Sequence, residues 1–199
     1  MIIAILLVAR AVALAPNETP RRQAVLGGVF AAATGAAPAL AAESIDPATS
    51  RMGGQLEKFV DVNRGFRLMK PTTWNQFDGE VGAYDLRWTD LVETTASVTV
   101  SSSSYSGASI DALADVDALG GKLQKSRSAD LLAKRARVSD GVLFYDFEFG
   151  NPTTATHELL AMCVNKNRLW QISAKSPEKS WAKRADLLHT VVESFVPKL

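Results

Sequence analysis

Cysteine is nearly absent: Cys163 is the one thiol in 199 residues, which excludes an internal disulfide framework and any thiolate metal cluster within one chain. An excess of charge of one sign is absent as well. Lys and Arg number 22 against 21 Asp and Glu, so the chain lacks the basic field that draws in nucleic acid or an anionic membrane without specific contacts. Histidine is scarce, with only His157 and His189. The sequence has no paired-His metal motif, no Gly-rich phosphate loop after a strand and no Ser-His-acid spacing signature. These gaps leave little for catalysis, and the chain reads as a non-enzyme with no small-molecule substrate. Core-forming residues are present in ordinary amount: 47% of the chain is hydrophobic, enough for one domain.

The first 41 residues carry only Arg10, Glu18, Arg21 and Arg22 as charged groups and read as a removable address. Residues 2–15 are almost continuously apolar and close on Ala11, Ala13 and Ala15 before Pro16, the length and ending of a secretory signal peptide. Arg21-Arg22 then precede a mild Ala/Gly-rich run that ends on Ala39-Leu40-Ala41, which reads as a twin-arginine export signal. The competing reading of residues 24–40 is a membrane anchor, which the low apolarity and the A-x-A ending disfavour. Without residues 1–41, 158 residues remain, with 19 basic and 20 acidic side chains.

Residues 42–57 contain Pro47, Gly53 and Gly54 and hold no period, so they are expected to form a mobile leader, with the folded domain over 58–199. Short β-type runs at 59–62 and 66–69 flank Asn63-Arg64-Gly65, and residues 83–88 and 96–101 alternate as half-buried strands do. Asp140-Gly141 is a strong hairpin signal between runs at 131–138 and 142–149. In the second run Leu143, Tyr145, Phe147 and Phe149 share one face, and Val142, Phe144, Asp146 and Glu148 the other. Runs at 156–164 and 168–174 are joined by Asn165-Lys166-Asn167. Helical spacing follows Ser109, through Ile110, Leu113, Val116, Leu119 and Leu123, and Gly120-Gly121 predicts a break into two short helices. A second helical pattern opens at Ser176-Pro177-Glu178, with Leu187, Leu188, Val191 and Val192 on one face. The sum is an α+β domain, an antiparallel sheet of about six strands sandwiched by helices.

The chemistry-bearing side chains are few. His157 lies near the start of one strand, and Glu178 follows the next across a hairpin, so antiparallel return is expected to bring the two together. Imidazole and carboxylate can bind a divalent cation (calcium, manganese or zinc), with Glu158 or water completing the shell. The competing reading is a surface histidine in a structural hydrogen bond, and no tightly bound cofactor is expected. Cys163, beside Met162 and Val164, reads as a small buried hydrophobe. Two basic groups, Lys134-Arg135-Arg137 and Lys179-Lys183-Arg184, would suit an acidic loop of a partner if they share a surface.

Taken in order, Phe66-x-Leu68-x-x-Pro71-x-x-Trp74, Ser109-Ile110, Asp140-Gly141-x-x-x-Tyr145-x-x-Glu148, His157-x-Leu159, Asn167-x-Leu169-Trp170, Trp181 and Ser194-Phe195 resemble the PsbP family, over about residues 58–197. The resemblance implies an antiparallel α/β/α sandwich. It also implies an extrinsic protein on the lumenal face of photosystem II, peripheral to the thylakoid membrane. Its partners would be lumenal subunits and its role support of the oxygen-evolving complex, through calcium and chloride retention, or of assembly. Two stacked signals resemble the presequences of algae with complex plastids, which implies the plastid thylakoid lumen. The leader lacks the lysine-rich tail of the best-known members, and residues 126–139 lack their long insertion, which favours a PsbP-like or PsbP-domain member. The alternative is a free lumenal module that holds a metal or small ligand.

Overall fold

Two tight turns organise the molecule. Asp140 and Gly141 take φ of 48° and 76°, and Lys166 and Asn167 take 49° and 59°. Positive φ at both central residues matches the right-handed twist of paired strands, so each turn closes a two-residue hairpin. The first joins β7 (Asp130–Ser139) to β8 (Val142–Asn151), and the second joins β9 (Thr156–Asn165) to β10 (Arg168–Pro177). β8 also pairs with β9, which makes a four-stranded antiparallel meander.

The computed structural model describes residues 50–51, 55–79 and 83–197, all within the compact unit Ala41–Leu199; the presequence of residues 1–41 lies outside the described residues. β6 (Ser97–Ser104) pairs with the free side of β10, followed by β5 (Leu86–Thr89) and β4 (Asn75–Asp78). The resulting seven-stranded sheet runs β4-β5-β6-β10-β9-β8-β7. A separate sheet holds β1 (Ser50–Arg51), β2 (Leu56–Asp61) and β3 (Phe66–Pro71).

The α+β class and the antiparallel pairing agree with the sequence reading. The sheet between the helices holds seven strands where about six were expected, and a second sheet of three adds to it among the described residues. β4 is exposed at all four positions, so no alternation marks it. Pairing also reaches back to β1 and to the buried Leu56, inside the stretch read as a leader; a lone buried leucine between glycines and charged residues leaves no period to detect.

The faces of β8 divide as its alternation implies. Val142 and Phe144 join Leu159, Ala161, Trp170 and Ile172 in a core closed by α2 (Glu178–Glu193) through Leu188, Val191 and Val192. Tyr145, Phe147 and Phe149 join Leu160 and Met162 in a second core on the opposite face, closed by a 3-10 turn at Ile110–Ala112 and by α1 (Val116–Arg127). Each fully buried aliphatic or aromatic side chain contributes about 1.5–3 kcal/mol relative to exposure. Cys163 is wholly inside the first core, and burial pushes its thiol pKa up, so the thiolate form is suppressed.

The helical break falls at residues 113–115, before the glycine pair. Asp115 caps α1, its Oδ1 accepting from the Ala118 amide at 2.7 Å. The helix then runs through Gly120-Gly121 because Gly120 is where it touches the sheet. A Cβ there would lie 3.0 Å from Leu131 Cδ2 and 3.2 Å from a Phe147 ring carbon, whereas one at Gly121 meets open space. Alanine gains about 1 kcal/mol over glycine in a helix, but crowding a packed contact costs about 1–3 kcal/mol. Gly121→Ala is therefore expected to stabilise by up to about 1 kcal/mol and Gly120→Ala to destabilise by a similar amount. Thermal unfolding of the two variants checks this; a more stable Gly120→Ala would mean that α1 does not need the close approach.

Candidate functional site

His157 stands second in β9, on the face that packs against α2, opposite Gly150 of β8 and Ser176 of β10. It is 5% exposed. A buried imidazole must satisfy two ring nitrogens, and two carboxylates do so. Nδ1 lies 3.0 Å from Glu178 Oε2, at the first residue of α2, and Nε2 lies 2.7 Å from Glu148 Oε1 on β8. One turn along α2, Trp181 stacks on the imidazole with centroids 3.8 Å apart and planes at 7°. His189 tilts against the same indole at 5.9 Å. A carboxylate only accepts hydrogen bonds, so both contacts exist together when the ring carries both N–H protons or when one carboxyl carries a proton. The arrangement fastens α2 to β8 and β9 by charge-assisted hydrogen bonds and a stacked ring pair.

The expected approach of Glu178 to His157 is present. Of the two ways expected to complete the shell, Glu158 or water, the first is not open: Glu158, next in the strand after His157, points to the opposite face, where Arg127 holds it at 2.5 Å and Lys175 at 3.4 Å. The period of two along a strand excludes neighbours from sharing a face. Glu148 occupies that place, and its signal was the shared face with Phe144 and Asp146 on β8. A metal-ligating nitrogen presents a lone pair about 2.0–2.1 Å from the ion, whereas both nitrogens of His157 are directed at carboxylates. Among the described residues no group of three or more His, Cys, Asp and Glu side chains is arranged to hold a metal ion.

The basic groups divide among separate places. Lys134 pairs with Asp117 of α1 at 2.5 Å, on the α1 side of the sheet. Arg135 and Arg137 lie on the α2 side and share Asp146 Oδ2, at 3.0 and 2.7 Å, and Arg135 also pairs with Glu193 at the C-terminal end of α2. Arg137 also lies over the Phe144 ring at 4.3 Å. Arg184 and Lys179 face the loop between β5 and β6: Arg184 reaches Asp90 at 2.6 Å, and Lys179 reaches Glu93 at 3.2 Å. Lys183 is exposed. α2 has 16 residues, or about 24 Å at 1.5 Å per residue, so its two ends present different surfaces.

The loop contacts carry a pH dependence. Burial raises the Asp90 pKa, but hydrogen bonds from the Val92 amide, the Arg184 guanidinium and the Glu93 amide outweigh it and hold the carboxyl below its usual value. Glu93 is lowered chiefly by the Ser180 hydroxyl, with burial opposing and Lys179 assisting. A depressed carboxyl contributes stability that is complete above its unfolded value and is lost as pH falls through the folded value. Stability is therefore expected to lose this contribution below about pH 4, with a shallower loss in Asp90→Asn. Urea midpoints across that range test it, and equal slopes for the two proteins would refute the assignment.

No described helix is long and apolar enough to cross a membrane. A family model described as PsbP matches residues 54–196. The chain is 26% identical over 156 residues to CyanoP of Thermosynechococcus vestitus, covering 70% of this chain and 85% of that protein. It is 24% identical over 154 residues to CyanoP of Synechocystis sp., covering 70% and 82%. The solution structure of CyanoP from Synechocystis matches with a TM-score of 0.61 at 23% identity, over 71% of this chain and 92% of that one, a likeness of fold.

Proposed function

Because this chain belongs to the PsbP family, whose model spans residues 54–196, we propose that it is an extrinsic thylakoid-lumen protein of photosystem II. It acts by docking to lumenal faces of membrane subunits rather than by catalysis, in support of the oxygen-evolving complex, through calcium and chloride retention, or of its assembly. The observation that carries this reading is the reach of the family match, which takes in both sheets from β2 onward and both helices. The sequence of residues 1–41 supports delivery through a complex plastid to the lumen, with removal of that segment before the domain works. Native gel electrophoresis of gently solubilised thylakoids tests the proposal: the protein should migrate with photosystem II and leave it at high ionic strength. Migration only as a small free protein would overturn it.

The second reading, a lumenal module holding a divalent cation, draws on the 3.0 Å approach of His157 to Glu178. An ion there would have to displace the hydrogen bonds that now join the ring to the carboxylates. Zinc or manganese retained by the protein and lost in His157→Ala would favour it, and equal retention would remove it.

A further inference from the structure

The two ends of the large sheet are unlike. β4 closes one end with four residues, while β7 closes the other with ten and has a strand neighbour on one side only among the described residues. Ten residues span about 33 Å of edge. Leu132, 55% exposed, and Val138, 70% exposed, stand near its two ends, with Lys134, Arg135 and Arg137 between them. A register shift between Leu131 and Ala133 bulges the start of the strand.

Bulges and edge lysines ordinarily keep strands from adding to one another, and here the exclusion is selective. A second copy pairing antiparallel about Ala136 would set Arg135 opposite Arg137 twice over, and one pairing about Arg135 would set that residue against its own counterpart; like charges directly opposite destabilise a pair. An extended segment bearing Asp or Glu meets the reverse situation. Asp117, the partner of Lys134, and Glu193, one of the two partners of Arg135, are themselves solvent-exposed, and exposed ion pairs contribute little; Asp146, which Arg135 shares with Arg137, is largely buried and stays in place. A partner's carboxylates can exchange with Asp117 and Glu193 at small cost. On the α2 side a cleft of about 180 Å³ opens beside Ala133 and Arg135, backed by His189, Val192 and Glu193. Alternate side chains of an added strand would lie over that cleft, the usual source of specificity when main-chain bonds supply affinity.

We propose that β7 is a strand-addition edge that takes an extended acidic segment of a protein partner. This rests on the docking reading above and names its mode. Ala133 and Ala136 are three apart in regular register with Glu148 and Tyr145, so the amide of one faces β8 and that of the other faces outward. Of Ala133→Pro and Ala136→Pro, only the second kind of position tolerates proline, and thermal unfolding identifies it. The experiment is rebinding of the protein and of the folded proline variant to salt-washed thylakoid membranes, with (Val-Glu)4 and (Val-Lys)4 peptides as competitors. The expected result is rebinding of the unmodified protein, at least about a tenfold loss in the proline variant, and displacement by the acidic peptide alone. Equal rebinding of the proline variant, or equal displacement by both peptides, overturns strand addition and leaves docking standing. Failure of the unmodified protein to rebind overturns both.

Discussion

Phe195→Ala is expected to cost about 4 kcal/mol, the upper range for truncating a buried phenylalanine. Phe195 is 1% exposed and lies 5.7 Å from the Phe66 ring, 6.0 Å from Trp170 and 6.5 Å from Phe144. Phe66 belongs to the small sheet, while Trp170 and Phe144 belong to the large one, so this ring is the filler between them. The next residue, Val196, bridges to Arg67 through paired backbone hydrogen bonds of 2.9 Å, and Ser194 Oγ accepts from the Met69 amide at 2.8 Å. Truncation should therefore loosen β2 and β3 first. Urea unfolding measures the cost, and amide exchange shows whether β3 loses protection ahead of β9. A cost under about 1 kcal/mol with uniform exchange would sink the account.

His157→Ala is expected to cost about 3 kcal/mol, because it removes two charge-assisted hydrogen bonds and the ring stacked on Trp181 and leaves the half-buried Glu148 carboxylate without its donor. The two carboxylates do not contribute equally. Glu178 is 58% exposed and rehydrates when the ring is gone, while Glu148, at 23%, does so less readily. The space beside Trp181 adds a cavity cost. Combining the change with Glu148→Leu should restore about 1–2 kcal/mol, since no buried carboxylate then lacks a donor. Chemical denaturation of the two single variants and the double variant decides the point. A double variant no more stable than His157→Ala would mean that Glu148 needs no partner.

Local signals carried the meander well. Asp140-Gly141 announced its turn by residue types that accept positive φ, Asn165-Lys166-Asn167 marked the second by a polar break between two apolar runs, and the alternation of β8 assigned each side chain to one of two cores. Patterns of that kind report which face a residue takes and leave open which strand lies alongside. The pairing of β6 with β10 joins residues 97–104 to 168–175, and nothing in either run names the other. The same gap hid Glu148: its face was legible, but its reach to His157 depends on the diagonal between β8 and β9. The basic residues looked like two clusters because sequence proximity does not show which face of the sheet, or which end of α2, each one takes. The α/β/α layering followed from the periods and from the PsbP resemblance together.

The fastening of β3 by residues 194–196 also sets an order of events. Phe66 and Met69 emerge early in synthesis, yet their partners lie about 125 residues later in the chain, so the small ribbon has no finished surface to rest on until nearly the whole domain has been made. Its apolar side waits exposed through that interval, and contacts of such long sequence separation are the slow ones in folding. The large meander, built from neighbours in sequence, can form first and serve as the template. Chaperone dependence during translation should then track residues 56–71 and 194–196, and a circular permutant that brings these segments close in sequence should fold faster without being more stable.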